Sequence, residues 1–245
     1  MIIATGTGRC GTMTFAQLFG LHHEFGSRIL RKSCEWRWDQ LGEPYNYANQ
    51  DNNTRILMAH ANEVCEKTGA SSVSHGSFSG NSSHFYLPLI DALPSMGGGV
   101  KVVYLIRDVF EYCRSMFARG LEKKRGWLYN PSPGDTETYE AWGSWDKLRQ
   151  AAWIWAFQNR LAHELLLRLP ENTYKVVWTH DIYPRSSEIA AFVGRQPHAK
   201  MVSVNQISNR GKLVLLLPDK WEDADREKVL PYAQEIARLP LFERK

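Results

Sequence analysis

The sequence predicts an α/β fold: three layers, α/β/α, around a central parallel sheet. Three observations carry that expectation. Apolar segments of strand length stand at residues 2–5, 100–106 and 174–178, and each runs into a stretch with a different, helical spacing. The longest of them, Val100-Lys-Val-Val-Tyr-Leu-Ile106, is almost continuously apolar, as a strand covered on both faces must be. Strand followed by helix then recurs along the chain, which is the order that parallel crossovers require.

The elements follow in order. Residues 2–5 read as a buried strand and 12–20 as a helix with Phe15, Leu18 and Phe19 on one face. Leu21–Phe25 suits a short second strand, and 26–53, with mixed charge, aromatics and a polar end, a loop-rich excursion. Residues 55–68 are helical by pattern (Ile56, Leu57, Ala59, Val64, Cys65), 71–75 is a short strand, and 85–93 a short helix ended by Pro94. Gly97–Gly99 delivers the strand 100–106, and a helix over 109–119 follows directly. A surface loop is expected at 129–138 and a long helical tract from 139 to 169, with Trp142, Trp145, Leu148, Ala152 and Trp155 at three- and four-residue steps. After the strand 174–178 come a helix at 186–193 closed by Gly194 and a helical tail over 219–238, interrupted at Pro231. Residues 202–217 fit no element. No repeat, low-complexity tract or linker divides the chain, so a single domain over 1–245 is expected.

Composition narrows the function classes. Hydrophobic content is 43%, with no 18-residue apolar run, so no membrane span is expected. No basic and then apolar leader precedes the first strand, and Cys10, Cys34, Cys65 and Cys113 lack metal-ligand spacing; reduced thiols, a cytoplasmic location and no metal are expected. A net charge of +4 suits an anionic ligand but is too weak to argue for nucleic acid. Nine Trp, ten Tyr and ten Phe mostly fill a core, with a minority available to line an acceptor pocket.

Chemistry concentrates in two places. The first is Thr5-Gly-Thr-Gly-Arg-Cys-Gly-Thr-Met13, a glycine-rich turn between strand and helix, which aims backbone N–H groups and a helix dipole at an anion. Gly6 and Gly11 have the separation of a nucleotide-binding P-loop, yet Thr12-Met13 stands where Lys-Ser/Thr would bind phosphate and Mg²⁺. The positive charge sits earlier, at Arg9. Mg–ATP chemistry is therefore disfavoured while anion binding survives. The second place is Arg107-Asp108, at the end of the strongest strand, with Ser115 eight residues beyond the arginine on the next helix. An arginine and a hydroxyl so placed can grip a phosphate by charge and hydrogen bond; alone, Arg107-Asp108 also reads as an ion pair.

Together these segments resemble the sulfotransferase family. Arg9-Cys10-Gly11-Thr12 is similar to the [KR]-[SC]-G-T core of its 5′-phosphosulfate loop, and Ile106-Arg-Asp-(six residues)-Ser115 to its 3′-phosphate element. Residues 153–160, Leu169-Pro170 and Val176–Ile182 look like the family's later helix and the strand ending in Y-E-D-L, with Thr179-His180 departing from Tyr-Glu. Asn209-Arg-Gly-Lys212 is similar to a late basic R-K-G loop in altered order, or is a plain surface turn.

The resemblance implies a P-loop-NTPase-like sulfotransferase fold and 3′-phosphoadenosine 5′-phosphosulfate (PAPS) as donor. It further implies release of 3′-phosphoadenosine 5′-phosphate (PAP), in-line transfer to a hydroxyl or amine of a small-molecule or glycan acceptor, and no metal. It assigns Gly8, Arg9, Cys10, Gly11, Thr12 and Met13 to the phosphosulfate, and Arg107 and Ser115, with Arg210, Gly211 and Lys212, to the 3′-phosphate. Arg9 would also stabilise charge on the departing phosphate. Glu24 or His75 would take the acceptor proton, and His22, His23, Glu35 and the run Lys123–Arg125 read more simply as surface or supporting residues. The acceptor pocket would come from 26–53, 76–86 and 120–145. A P-loop nucleotide kinase and a non-catalytic nucleotide-binding protein are the alternatives. Neither acceptor nor oligomeric state is legible.

Overall fold

The computed structural model describes residues 1–23, 54–60, 63, 80–82, 84–96, 99–118, 131, 136–198 and 222–243. Five parallel strands form one sheet: β1 (Ile2–Gly6), β2 (His22–His23), β3 (Gly80–Ser82), β4 (Lys101–Ile106) and β5 (Tyr174–Trp178). They lie in the order β2-β3-β1-β4-β5. The register sets Ile2 against Lys101 and Gly6 against Leu105, then Val102 against Tyr174 and Ile106 against Trp178. The carboxyl ends of β1, β4 and β5 therefore lie side by side.

Seven helices are described: α1 (Thr12–Phe19), α2 (residues 54–60), α3 (Val109–Phe117), α4 (Thr136–Ala141), α5 (Lys147–Leu166), α6 (Ser186–Val193) and α7 (Asp223–Ala237). The alternation of side chains along the strands sorts them onto two faces. Ile3, Val102, Tyr104 and Ile106 bury with α2, α3, α5 and α7 and the 3₁₀ helix His84–Met96. Ile2, Ala4, Val103, Leu105 and Val177 bury with α1 and α6. A parallel sheet needs both covers because apolar side chains project from each of its faces. The expected three-layer α/β/α architecture is thus observed.

From β1 the chain crosses through α1 to β2 on one side of the sheet; from β4 it crosses through α3 and α5 to β5 on the other. The gap between the ends of β1 and β4 is a topological switch point, where open parallel sheets bind ligands.

Strand β5 and helix α6 coincide with the residues expected, and Gly194 closes α6 in the left-handed conformation. Three expectations are corrected. The segment at 85–93 is a 3₁₀ helix that runs through Pro94 to Met96; Pro88 and Pro94 remove amide donors an α-helix would use, and the chain takes the tighter form. The tract 139–169 breaks: α4 passes into a 3₁₀ turn at Trp142–Ser144, Trp145 is extended, and Asp146 starts α5 by accepting from the Arg149 N–H at 2.9 Å. Pro231 does not interrupt α7, whose Val229 and Ile236 are fully buried and whose Glu235 is held by Arg160 at 2.7 Å. Gly80–Ser82, within the segment 76–86 expected to help build the acceptor pocket, forms a sheet strand, and the strand expected at 71–75 lies outside the described residues.

Candidate anion-binding site

The first loop is built around close approach. A Cβ on Gly6 would stand 2.1 Å from the Leu105 carbonyl oxygen and 2.6 Å from Cys10 Sγ, so only glycine lets β1 lie against β4 as it turns. The turn then holds Arg9 at φ 69° and Gly11 at φ 91°. Arg9 is the only non-glycine residue with positive φ among those described, and for an L-residue that conformation costs on the order of 1 kcal/mol. Gly11 caps α1 without any side-chain hydrogen bond, and no acidic residue occupies the first turn. The positive end of the α1 dipole is accordingly left for something outside the helix.

The second segment is organised differently. Asp108 caps α3, its Oδ1 accepting from the N–H groups of Phe110 at 2.9 Å and Glu111 at 3.3 Å. Arg107 is held from other sides. Its Nε donates to Glu111 Oε2 at 3.1 Å, and its Nη1 donates to the Arg9 carbonyl at 3.0 Å. Behind it, the Trp155 indole donates to the Arg107 carbonyl at 2.9 Å. Trp155 is fixed in turn through Asn159, which donates to the Trp155 carbonyl and accepts from the Tyr104 hydroxyl. All three residues are buried.

The two segments interlock across the switch point. Arg9 Nε donates to Ser115 Oγ at 3.0 Å, joining the first loop to α3, and the Arg107–Arg9 contact joins them again. From β5, Thr179 Oγ1 lies 2.8 Å from the Cys10 carbonyl and 3.1 Å from the Ile106 carbonyl. From β3, Ser82 Oγ donates to the Thr12 carbonyl at 2.7 Å. Two guanidinium groups, a helix N-terminus and a serine hydroxyl thus meet at the carboxyl edge of the sheet. Such a set binds an oxyanion by charge and directed hydrogen bonds.

Cys10 lies wholly inside, its thiol pushed up to about 12 by burial despite the nearby Arg107 and Arg9. It is a protonated packing residue at neutral pH, so only its backbone can address a ligand. In the same loop Thr7 Oγ1 is buried with no hydrogen-bond partner among the described residues. No group of three or more His, Cys, Asp or Glu side chains fit to hold a metal occurs among the described residues.

The structure brings together Arg9, Cys10, Gly11, Thr12, Arg107 and Ser115, as the spacing suggested, with Gly8 and Met13 in the same segment. Glu24, His75, Arg210, Gly211 and Lys212 lie outside the described residues. Three contributors escaped the sequence reading: Glu111 on Arg107, Trp155 behind it, and Thr179 between the loop and β4. Thr179 alone left a trace, as a hydroxyl residue just past a predicted strand.

No helix among the described residues is long and apolar enough to cross a membrane. No family model matches the chain, and no curated protein matches it in sequence. Solved structures do match in shape. A sulfotransferase from Alicyclobacillus acidocaldarius aligns over 100% of this chain and 96% of its own at 12% identity, with a TM-score of 0.51. The sulfotransferase domain of the Synechococcus PCC 7002 olefin synthase aligns over 97% and 94% at 13% identity, also with a TM-score of 0.51. At such identities the likeness is one of fold: the chain is built as sulfotransferase domains are.

Proposed function

We propose that this protein is a sulfotransferase that moves a sulfuryl group from PAPS to a hydroxyl or amine of an acceptor. The observation that carries the proposal is the double link between the two basic segments, Arg9 Nε on Ser115 Oγ and Arg107 Nη1 on the Arg9 carbonyl. A donor with two separated anionic groups, a 5′-phosphosulfate and a 3′-phosphate, matches two cationic positions better than a nucleotide with a single phosphate chain does. In this reading the uncapped start of α1 and the loop N–H groups of Gly8 to Met13 receive the phosphosulfate, and Arg107 with Ser115 receives the 3′-phosphate. Arg9 stands between them, placed to stabilise charge that grows on the leaving phosphate. PAPS supplies the activated sulfuryl group. The chain supplies position and electrostatics. Thr12 and Met13, standing where a P-loop has Lys-Ser/Thr, argue against Mg–ATP chemistry. Glu24 and His75 are the proposed bases, and a small-molecule or glycan hydroxyl is the proposed acceptor class. The proposed setting is the cytoplasm.

The test is a comparison of ligands. PAP without Mg²⁺ is expected to raise the melting temperature, and Mg–ATP is not. Arg9→Ala and Arg107→Ala are expected to lose that shift, and to lose transfer from ³⁵S-labelled PAPS, with the circular dichroism of the fold retained. If only Mg–ATP stabilises the protein, the reading is wrong.

A further inference from the structure

We infer that Thr179 is a positioning residue that clamps the anion loop from the end of β5. It occupies the first position of the 3₁₀ turn Thr179–Asp181, directly after β5. Its hydroxyl has one proton and two carbonyl oxygens within reach: Cys10 at 2.8 Å, inside the loop, and Ile106 at 3.1 Å, the last residue of β4. Its methyl serves a second purpose. A Cβ built on Gly11 would stand 3.1 Å from Thr179 Cγ2 and 3.4 Å from Ile182 Cδ1, so this side chain packs on the glycine that caps α1.

The need for a clamp follows from the loop's conformation. Arg9 and Gly11 both have positive φ, and Arg9 carries the strain of that geometry. A strained turn persists only where its surroundings over-determine it. Cys10 lies between the two left-handed residues, and its carbonyl is where Thr179 takes hold. The same hydroxyl reaches Ile106, whose next residue is Arg107. One uncharged side chain therefore ties the two cationic segments together from β5, in addition to their direct Arg9–Ser115 and Arg107–Arg9 links. Serine would keep the hydroxyl and lose the methyl. Valine would keep the shape and leave both carbonyls without their donor.

This inference rests on the anion-binding reading above, and its test separates the two. Wild type, Thr179→Val and Thr179→Ser are compared by amide hydrogen exchange over residues 7–14 and over the β4 amides at 102–105, and by titration with PAP. Thr179→Val is expected to speed loop exchange by about tenfold while β4 stays protected, since local opening is set by local bonds. It is also expected to weaken PAP by about tenfold, the loss of roughly one hydrogen-bonded constraint. Thr179→Ser is expected to stay within about threefold of wild type in both, conserving the donor. Loop exchange in Thr179→Val equal to wild type overturns the clamp. So does acceleration spread equally over loop and β4, which would mark loss of the fold instead. Failure of wild type to bind PAP defeats the donor assignment and leaves the exchange comparison to judge the clamp.

Discussion

Arg9 Nε and Ser115 Oγ lie 3.0 Å apart although 106 residues separate them. Arg9 belongs to the turn that opens α1, and Ser115 to the buried side of α3. The serine oxygen accepts from the guanidinium and so fixes one of its edges. Ser115→Ala should free the Arg9 side chain and weaken PAP by about tenfold, with less effect on stability than on binding. In a double-mutant cycle on the free energy of unfolding, Arg9→Ala and Ser115→Ala should couple by about 1 kcal/mol, as groups in contact do. Strict additivity would show that the contact carries no part of the stability.

The backbone of Arg9 holds a conformation that costs stability for any residue with a Cβ. At φ 69° a Cβ is unwelcome and glycine is not. Arg9→Gly should therefore be more stable than Arg9→Ala by about 1 kcal/mol, or about 2–4 °C in melting temperature for a chain of this size. Neither should bind PAP. Thermal melts of the two variants decide the point: equal melting temperatures would mean that the turn relaxes when the arginine is removed.

Glu111 is a brake on Arg107. Its carboxylate, 3.1 Å from Nε and about half exposed, both orients the guanidinium and offsets its charge. Glu111→Gln keeps an oxygen acceptor and removes the charge, so PAP should bind roughly threefold more tightly, a small effect because solvent screens the pair. The gain should shrink with added salt. Weaker binding, measured at low ionic strength, would instead make orientation the dominant role of Glu111.

A pH effect is expected on the α6 side of the sheet. Glu188 is hydrogen-bonded by Arg185 and by Lys175, which together lower its carboxyl from an ordinary 4.5 to about 2. A folded-state value below the unfolded one means that the stabilisation is whole above about 4.5 and is lost as pH falls toward about 2. Because the carboxylate is 48% exposed, the contribution is at most about 1 kcal/mol. Glu188→Gln should lie below wild type in denaturant midpoint at pH 7 and match it near pH 2. A gap that persists at the acid end would assign it to packing.

Residues whose structure is local were legible in the sequence. Val100–Ile106 announces a strand buried on both faces because nearly every residue is apolar, and Gly194 marks the end of α6 because only a residue at ease in the left-handed region stops a helix so. The position of Ser115 on α3, just after the Arg107–Asp108 start, was legible because it counts turns along a helix that Asp108 caps. Gly80–Ser82 was illegible for the opposite reason. Gly, Asn and Ser have no leaning toward strands, and β3 exists through its pairing with β1 and β2. The break before α5 depends on one competitive cap, Asp146, inside a run of good helical spacing. Trp155 and Thr179 entered the site through contacts between segments distant in sequence, which no spacing rule reports, whereas Glu111 pairs with Arg107 at the i,i+4 spacing of a helix turn.

The strand order has a kinetic consequence. The loop follows residues 2–6, its partner arginine follows 101–106, and the clamping threonine follows 174–178. An N-terminal fragment through α3 would already contain both arginines and Ser115, yet would lack the group that holds Cys10 and Ile106 in register. Pairings so distant in sequence close slowly and late. Any ligand held at that edge adds its binding free energy to the whole sheet by mass action. PAP protection during refolding would therefore time the arrival of the last strand.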